Sequence, residues 1–223
     1  MKPFLFTLLL LLPINAFAQH KFELKDASKY FDIKATVADC DDGFCRGKAR
    51  FEFYKKGRSR PYQVIEHENT LVQLSDDGSV PVNVSLMYDV QSVVYVGDFN
   101  FDGMEDVAIC SGEDGSYGGP SYRVYLSDRK AGRFVFNSSF TKLGQHLGMF
   151  EVDKKKKRLR LFDKSGCCWH VTEEYAVINN QPVKVFVEEE DATIPDETKV
   201  KITTKRLAAG KWTTSVKYVK RER

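Results

Sequence analysis

Long apolar stripes at helical spacing are missing from this sequence, and so is any internal apolar run of bilayer-spanning length. The first absence argues against a helical bundle and the second against a helical membrane protein. Charge of one sign is lacking too. Lys and Arg total 34 against 31 Asp and Glu, a net +3, too balanced for a nucleic-acid binder. Histidine is scarce, with 4 in all, and none stands in a catalytic motif. His67-Glu68 is followed by Asn69-Thr70-Leu71 rather than H-E-x-x-H, and the run Asp114-Gly115-Ser116-Tyr117-Gly118 misses G-x-S-x-G. Glu173 and Glu174 are neighbours on a strand pattern and so face opposite ways, unlike an acid/base couple. No enzyme is expected.

What is present begins with a leader. Residues 1–18 carry Lys2, the apolar run 4–12, Pro13 and the small-residue end Ala16-Phe17-Ala18 before Gln19. This is the form of a cleavable export signal, and its apolar run is short for a membrane span. No cysteine follows the processing point, so a lipid anchor is not expected. The mature chain is read as periplasmic, with residues 19–223 as one all-β domain that includes a possible smaller β subdomain over 19–89.

Strand patterns fill that chain. Segments 31–38, 50–54, 62–66, 82–88, 92–97, 107–110, 122–127, 133–138, 150–153, 158–162, 170–178, 183–187, 200–204 and 213–218 are rich in Val, Ile, Phe, Tyr and Thr with period-two alternation. D-D-G, K-A-G, N-N-Q-P and A-A-G punctuate them as turns. The pattern predicts antiparallel multi-stranded sheets, a sandwich or propeller-like, with one short helix near 141–146. The basic runs 154–160 and 217–223 and the acidic run 188–191 read as solvated turns or tails.

Between two strand patterns lies D-x-N-x-D-G-x-x-D: Asp98, Asn100, Asp102, Gly103 and Asp106. Alternate residues of a tight loop can aim oxygens at one centre, as a hard cation such as Ca²⁺ requires. Asp98, Asn100, Asp102 and Asp106 supply side-chain oxygens and Met104 its carbonyl, while Gly103 provides the sharp turn. It is not a full EF-hand, because Ile109 stands where a bidentate Glu would close the shell. The pattern occurs once, so no array of such loops is expected.

The 5 cysteines of an exported chain read as disulfides with one thiol left over. Cys40 and Cys45 flank a turn and should bridge. Cys110 is expected to pair with Cys167 or Cys168, the alternative being a bond between those two adjacent residues. Zinc finds no second C-x-x-C. Residues 111–120 form a glycine-rich polar loop, which an ion and a crosslink at its base would hold ready for a partner.

The runs GDFNFDGMEDVAICSG, GGPSYRVYL, KAGRFVFNSSFTKL and KRLRLFDKSGCCWH together resemble the periplasmic immunity proteins of bacterial-killing secretion systems. Those proteins inhibit lysozyme-like peptidoglycan hydrolases and are similar in topology to the periplasmic inhibitors of I-type lysozyme. The resemblance spans residues 93–177. It implies Ca²⁺ at Asp98, Asn100, Asp102, Met104 and Asp106, and a cleft-entering loop drawn from Ser111, Gly112, Tyr117 and Tyr122. The partner so implied is a peptidoglycan hydrolase, with no nucleic acid and no membrane insertion. Two other readings stand beside it: an exported module that binds envelope glycans through Ca²⁺ and a basic patch, and a calcium-dependent hydrolase.

Overall fold

In a computed structural model, residues 19–84 and 90–221 are described; the leader and most of the 82–88 segment lie outside them. Three antiparallel sheets follow one another along the described chain. The first holds β1 (His20–Leu24), β2 (Phe31–Asp41), β3 (Phe44–Lys55) and β4 (Gln63–His67) in that order, with β5 (Leu71–Gln73) also paired to β3. The second is the run β6 (Val94–Gly97), β7 (Asp106–Gly112), β8 (Ser121–Asp128) and β9 (Arg133–Phe136). The third runs β10 (Glu151–Asp153), β11 (Arg158–Ser165), β12 (Trp169–Ile178), β13 (Gln181–Asp191), β14 (Lys199–Ala208) and β15 (Lys211–Lys220). The expected all-β class of several antiparallel sheets is what forms.

Tight turns explain the sequential pairing. Asp42 and Gly43 (φ 46° and 79°), Asn179 and Asn180 (51° and 57°), and Ala209 and Gly210 (49° and 74°) all have positive φ. Two consecutive left-handed residues make the hairpin turn whose twist matches that of the flanking strands. The helix α1 (Ser138–Leu143) starts three residues earlier than the sequence suggests, because the Asn137 side chain accepts from the Ser139 and Phe140 N–H groups and caps it.

One apolar cluster joins the sheets: Val37, Phe51 and Phe53 from the first, Val107, Ile109 and Tyr122 from the second, Leu159 and Leu161 from the third. Polar seams reinforce it. Gln63 donates to the Phe134 carbonyl (3.0 Å) and accepts the Phe134 N–H (2.7 Å), a reciprocal bond from β4 to β9.

Three expectations need correction. Cys40–Cys45 bridges as expected, but Cys167 bonds Cys168 and Cys110 is a buried free thiol. Cys110 faces the interior on β7, its carbonyl bound by Thr70 and its thiol directed at the Gly112 carbonyl, while the Cys167–Cys168 pair occupies the β11–β12 turn. The acidic residues 188–191 are not a solvated turn but the end of β13, paired on both sides. The basic carboxy-terminal run is likewise strand, since β15 extends to Lys220.

Candidate functional site

The loop from β6 to β7 is built by its acidic side chains folding back onto its own backbone. Asp98 accepts the Asp102 and Gly103 N–H groups, each at 2.9 Å. Asp102 accepts the Met104 N–H at 2.9 Å. Gly103 has φ +85°, a conformation that a Cβ disfavours. Asp106 is completely buried, and its carboxylate takes the N–H groups of Phe99 (2.8 Å), Asn100 (3.3 Å) and Ser127 (2.8 Å). Burial, with a smaller push from the Asp102 charge and despite those N–H bonds, raises its pKa to about 7.

Three carboxylates and an amide oxygen match Ca²⁺ in donor chemistry and spacing, and carboxylate oxygens keep further lone pairs. Convergence is what this arrangement lacks: among the described residues no three His, Cys, Asp or Glu side chains are grouped to hold a metal. The hydrogen bonds hold the loop in its tight form by themselves. Three more tie it to the other sheets. Asn100 donates to Asn180 in the β12–β13 turn at 3.0 Å. Glu105 accepts the Ser28 hydroxyl (2.5 Å) and the Lys29 N–H (3.1 Å) from the β1–β2 connection. Sequence reasoning missed Glu105 and Asn180, because both act across distances that no local pattern encodes.

At the other end of β7 the glycine-rich loop is equally fixed. The Ser116 N–H donates to the His146 carbonyl at 2.9 Å and Gly119 N–H to the Ser116 carbonyl at 3.1 Å. A Cβ on Gly115 would lie 2.7 Å from the His146 carbonyl oxygen and 2.8 Å from those of Gly119 and Pro120, so only glycine fits. Tyr117 stands at its crest with φ 57° and 65% exposure. That backbone region costs a non-glycine residue roughly 1–2 kcal/mol, so neighbours must enforce it. The Tyr117 hydroxyl oxygen accepts the Gly166 N–H at 2.6 Å, and the Lys164 ammonium lies 5.4 Å from its ring centroid. Its phenolic proton remains free to donate outward.

The other proposed loop residues point elsewhere. The Ser111 hydroxyl turns toward Ser121, 3.3 Å from its carbonyl and hydroxyl oxygens, and Gly112 is buried against Asn69. Tyr122 is fully buried and donates to the Ser92 carbonyl at 2.9 Å. Its place in a partner-binding loop is therefore corrected: β8 alternation turns its ring into the core.

No family model matches the chain, and no curated protein does. A solved structure matches at 25% identity with a TM-score of 0.67, covering 90% of this chain and 94% of the other. The chain is similar to a Xanthomonas type IV secretion system related protein. That likeness runs through all three sheets, so both loops lie on a shared scaffold.

Beside the crest lie a serine, a histidine and an aspartate that no sequence motif announced. His146 Nδ1 and Ser116 Oγ both reach Asp163 Oδ2, at 2.9 Å and 3.4 Å. The carboxylate sits between the other two, so the hydroxyl faces an acid and not the imidazole that would take its proton. The cluster braces the loop: Ser116 and His146 anchor it to β11. Arg46 adds an ion pair to Glu113 at 3.4 Å, between side chains about half exposed and of little energetic weight.

Proposed function

We propose that this protein is a non-enzymatic periplasmic inhibitor, of the immunity type, that blocks a lysozyme-like peptidoglycan hydrolase with Tyr117 at the crest of its glycine-rich loop. Tyr117 carries this reading: a large aromatic side chain held outward in an unfavoured backbone conformation, with its proton available. Supporting it is the likeness of nearly the whole chain to a secretion-system related protein. A muramidase cleft is floored by carboxylates. A phenol already accepting the Gly166 N–H can donate its own proton to one of them, a charge-assisted bond, while the ring fills the groove. The loop is rigid beforehand, so little ordering entropy opposes binding.

In the same reading the β6–β7 loop takes Ca²⁺ through Asp98, Asn100, Asp102, the Met104 carbonyl and Asp106, the side chains turning from the hydrogen bonds they now make so that their oxygens converge. The ion would neutralise closely spaced carboxylates and lock the loop.

The test measures inhibition of a panel of lysozyme-type hydrolases, including any encoded beside this gene. Tyr117→Ala should weaken inhibition at least about tenfold, the size of a ~1.4 kcal/mol interface residue, in a protein that still melts cooperatively well above the assay temperature despite losing the Gly166 bond. Ser111→Ala, whose hydroxyl is turned inward, should inhibit as the parent does. Full inhibition by Tyr117→Ala, or loss confined to Ser111→Ala, would overturn the assignment.

A further inference from the structure

The far end of the third sheet has no counterpart in the inhibitor reading. From Lys199 to Arg221 there are six lysines, two arginines and no carboxylate, although acidic and basic residues are nearly balanced over the chain. Lys199 pairs with Asp196 at 2.8 Å and Arg206 lies over the Phe186 ring at 4.5 Å. Lys205, Lys211, Lys217 and Lys220 make no ion pair among the described residues.

Apolar groups share one face of the hairpin with Lys205 and Lys220, while Lys211 and Lys217 alternate to the other face. Every residue of β15 is exposed, and Trp212, Val216 and Tyr218 are 46%, 50% and 60% open. The register pairs Trp212 with Leu207, Val216 with Thr203 and Tyr218 with Lys201. Alternation therefore sets all of these on one face, with Lys205 among them. The turn at the end, Leu207-Ala208-Ala209-Gly210, has no polar side chain and is followed directly by Lys211 and Trp212. β15 is the last strand of its sheet, so both its outer edge and this face lack a protein neighbour among the described residues.

We propose that the β14–β15 hairpin is a peripheral attachment site for anionic phospholipid surfaces, with the Ala-Ala-Gly tip and Trp212 seated at headgroup depth. Charge complementarity selects the occupant: unpaired lysines concentrate at a negative surface and lie along it. Their long aliphatic stems cover apolar area while the ammonium stays in the headgroup layer. Trp and Tyr, apolar with one polar handle, suit the membrane interface rather than its interior. An acidic protein would be read by the same lysines but would not place the tip in an apolar layer. Attachment of this kind is adsorption and not spanning; among the described residues no helix is long and apolar enough to cross a bilayer.

The chain has 2 tryptophans, Trp169 and Trp212, so Trp169→Phe leaves Trp212 as the reporter in an otherwise complete protein. With vesicles of phosphatidylglycerol and phosphatidylcholine at low salt, the protein should co-sediment and Trp212 emission should shift to the blue. Pure phosphatidylcholine should give neither effect, and raised NaCl should release the protein. Lys205→Glu with Lys211→Glu should lower apparent affinity at least tenfold, and Trp212→Ser should weaken binding without changing the melting temperature. No co-sedimentation at low salt overturns the proposal. So does vesicle binding without a Trp212 shift, or equal binding to soluble polyglutamate, which would mark an acidic-protein surface instead.

Discussion

Acid should expose how His67 is held. His67 is 4% exposed on β4, edge-on to Phe51 and stacked on Tyr125. Its Nδ1 lies 3.3 Å from the Cys110 carbonyl and can only donate there, which leaves Nε2 to accept the Tyr125 hydroxyl at 2.9 Å. One neutral tautomer satisfies both bonds. Burial, with the Arg123 charge adding to it and the Cys110 bond opposing, lowers the pKa from 6.5 to about 4. A lowered pKa means that the unfolded chain takes the proton first. The contribution to stability is complete above pH 6.5, falls as pH drops and is gone near pH 4, a loss of ~3 kcal/mol at about 1.4 kcal/mol per pH unit.

The raw profile mixes this with Asp106, whose carboxyl is raised to about 7 and which therefore favours folding as pH falls from 7 toward 4. A comparison with His67→Gln isolates the histidine, since the amide can donate to Cys110 and accept from Tyr125 without titrating. Thermal or urea unfolding of both proteins from pH 8 to pH 4 is the assay. The stability difference, parent minus variant, should be flat above pH 7 and fall by ~3 kcal/mol by pH 4, roughly 6–12 °C in melting temperature for a chain of this size. Parallel curves would refute the claim that a neutral imidazole bridges the first two sheets.

Two further outcomes are expected. Chelator should lower the melting temperature reversibly if the β6–β7 loop takes Ca²⁺, by about 2.7 kcal/mol for an ion at a hundredfold its dissociation constant; Asp98→Ala should abolish the response, and a melting curve indifferent to chelator counts against the ion. Peptide mapping without reductant should find Cys40 linked to Cys45 and Cys167 to Cys168, with Cys110 resisting alkylation until the chain unfolds, because burial raises its thiol pKa; a crosslinked Cys110 would sink that assignment.

Local chemistry made much of the fold readable. Asp42-Gly43 and Asn179-Asn180 announce hairpins because only residues tolerant of positive φ serve there, and Cys40–Cys45 follows from the first. Long-range geometry was not readable. Nothing near Cys110 says that its side chain enters the core while Cys167 and Cys168 cap a distant turn. Tyr122 lies in a strand pattern, but the sequence does not say which of its faces is covered, and the structure buries both Ser121 and Tyr122. The acidic end of β13 reads as a turn because strands with one buried face seldom carry four consecutive acids. Here β13 runs beyond the core, so charged side chains on either face cost little.

The same geometry separates two features that the sequence places side by side. Asp106 opens β7 and Gly112 closes it, six steps of about 3.3 Å each, so the acidic loop and the Tyr117 crest lie roughly 20 Å apart at opposite ends of one strand. An ion among the carboxylates therefore cannot stiffen the crest by contact, as adjacency in the chain suggests. The crest takes its rigidity from the His146 carbonyl, the Gly166 N–H and the Asp163 carboxylate, all from later parts of the chain. The acidic loop joins sheets instead, through Glu105 to Ser28 and Asn100 to Asn180, while Asp106 ties it to β8 of its own sheet through Ser127. If Ca²⁺ binds there, it should act on global stability, and inhibition measured well below the melting temperature should not depend on it. Chelation that abolished inhibition in a protein still fully folded would mean that the two loops communicate along β7 by a path these contacts do not contain.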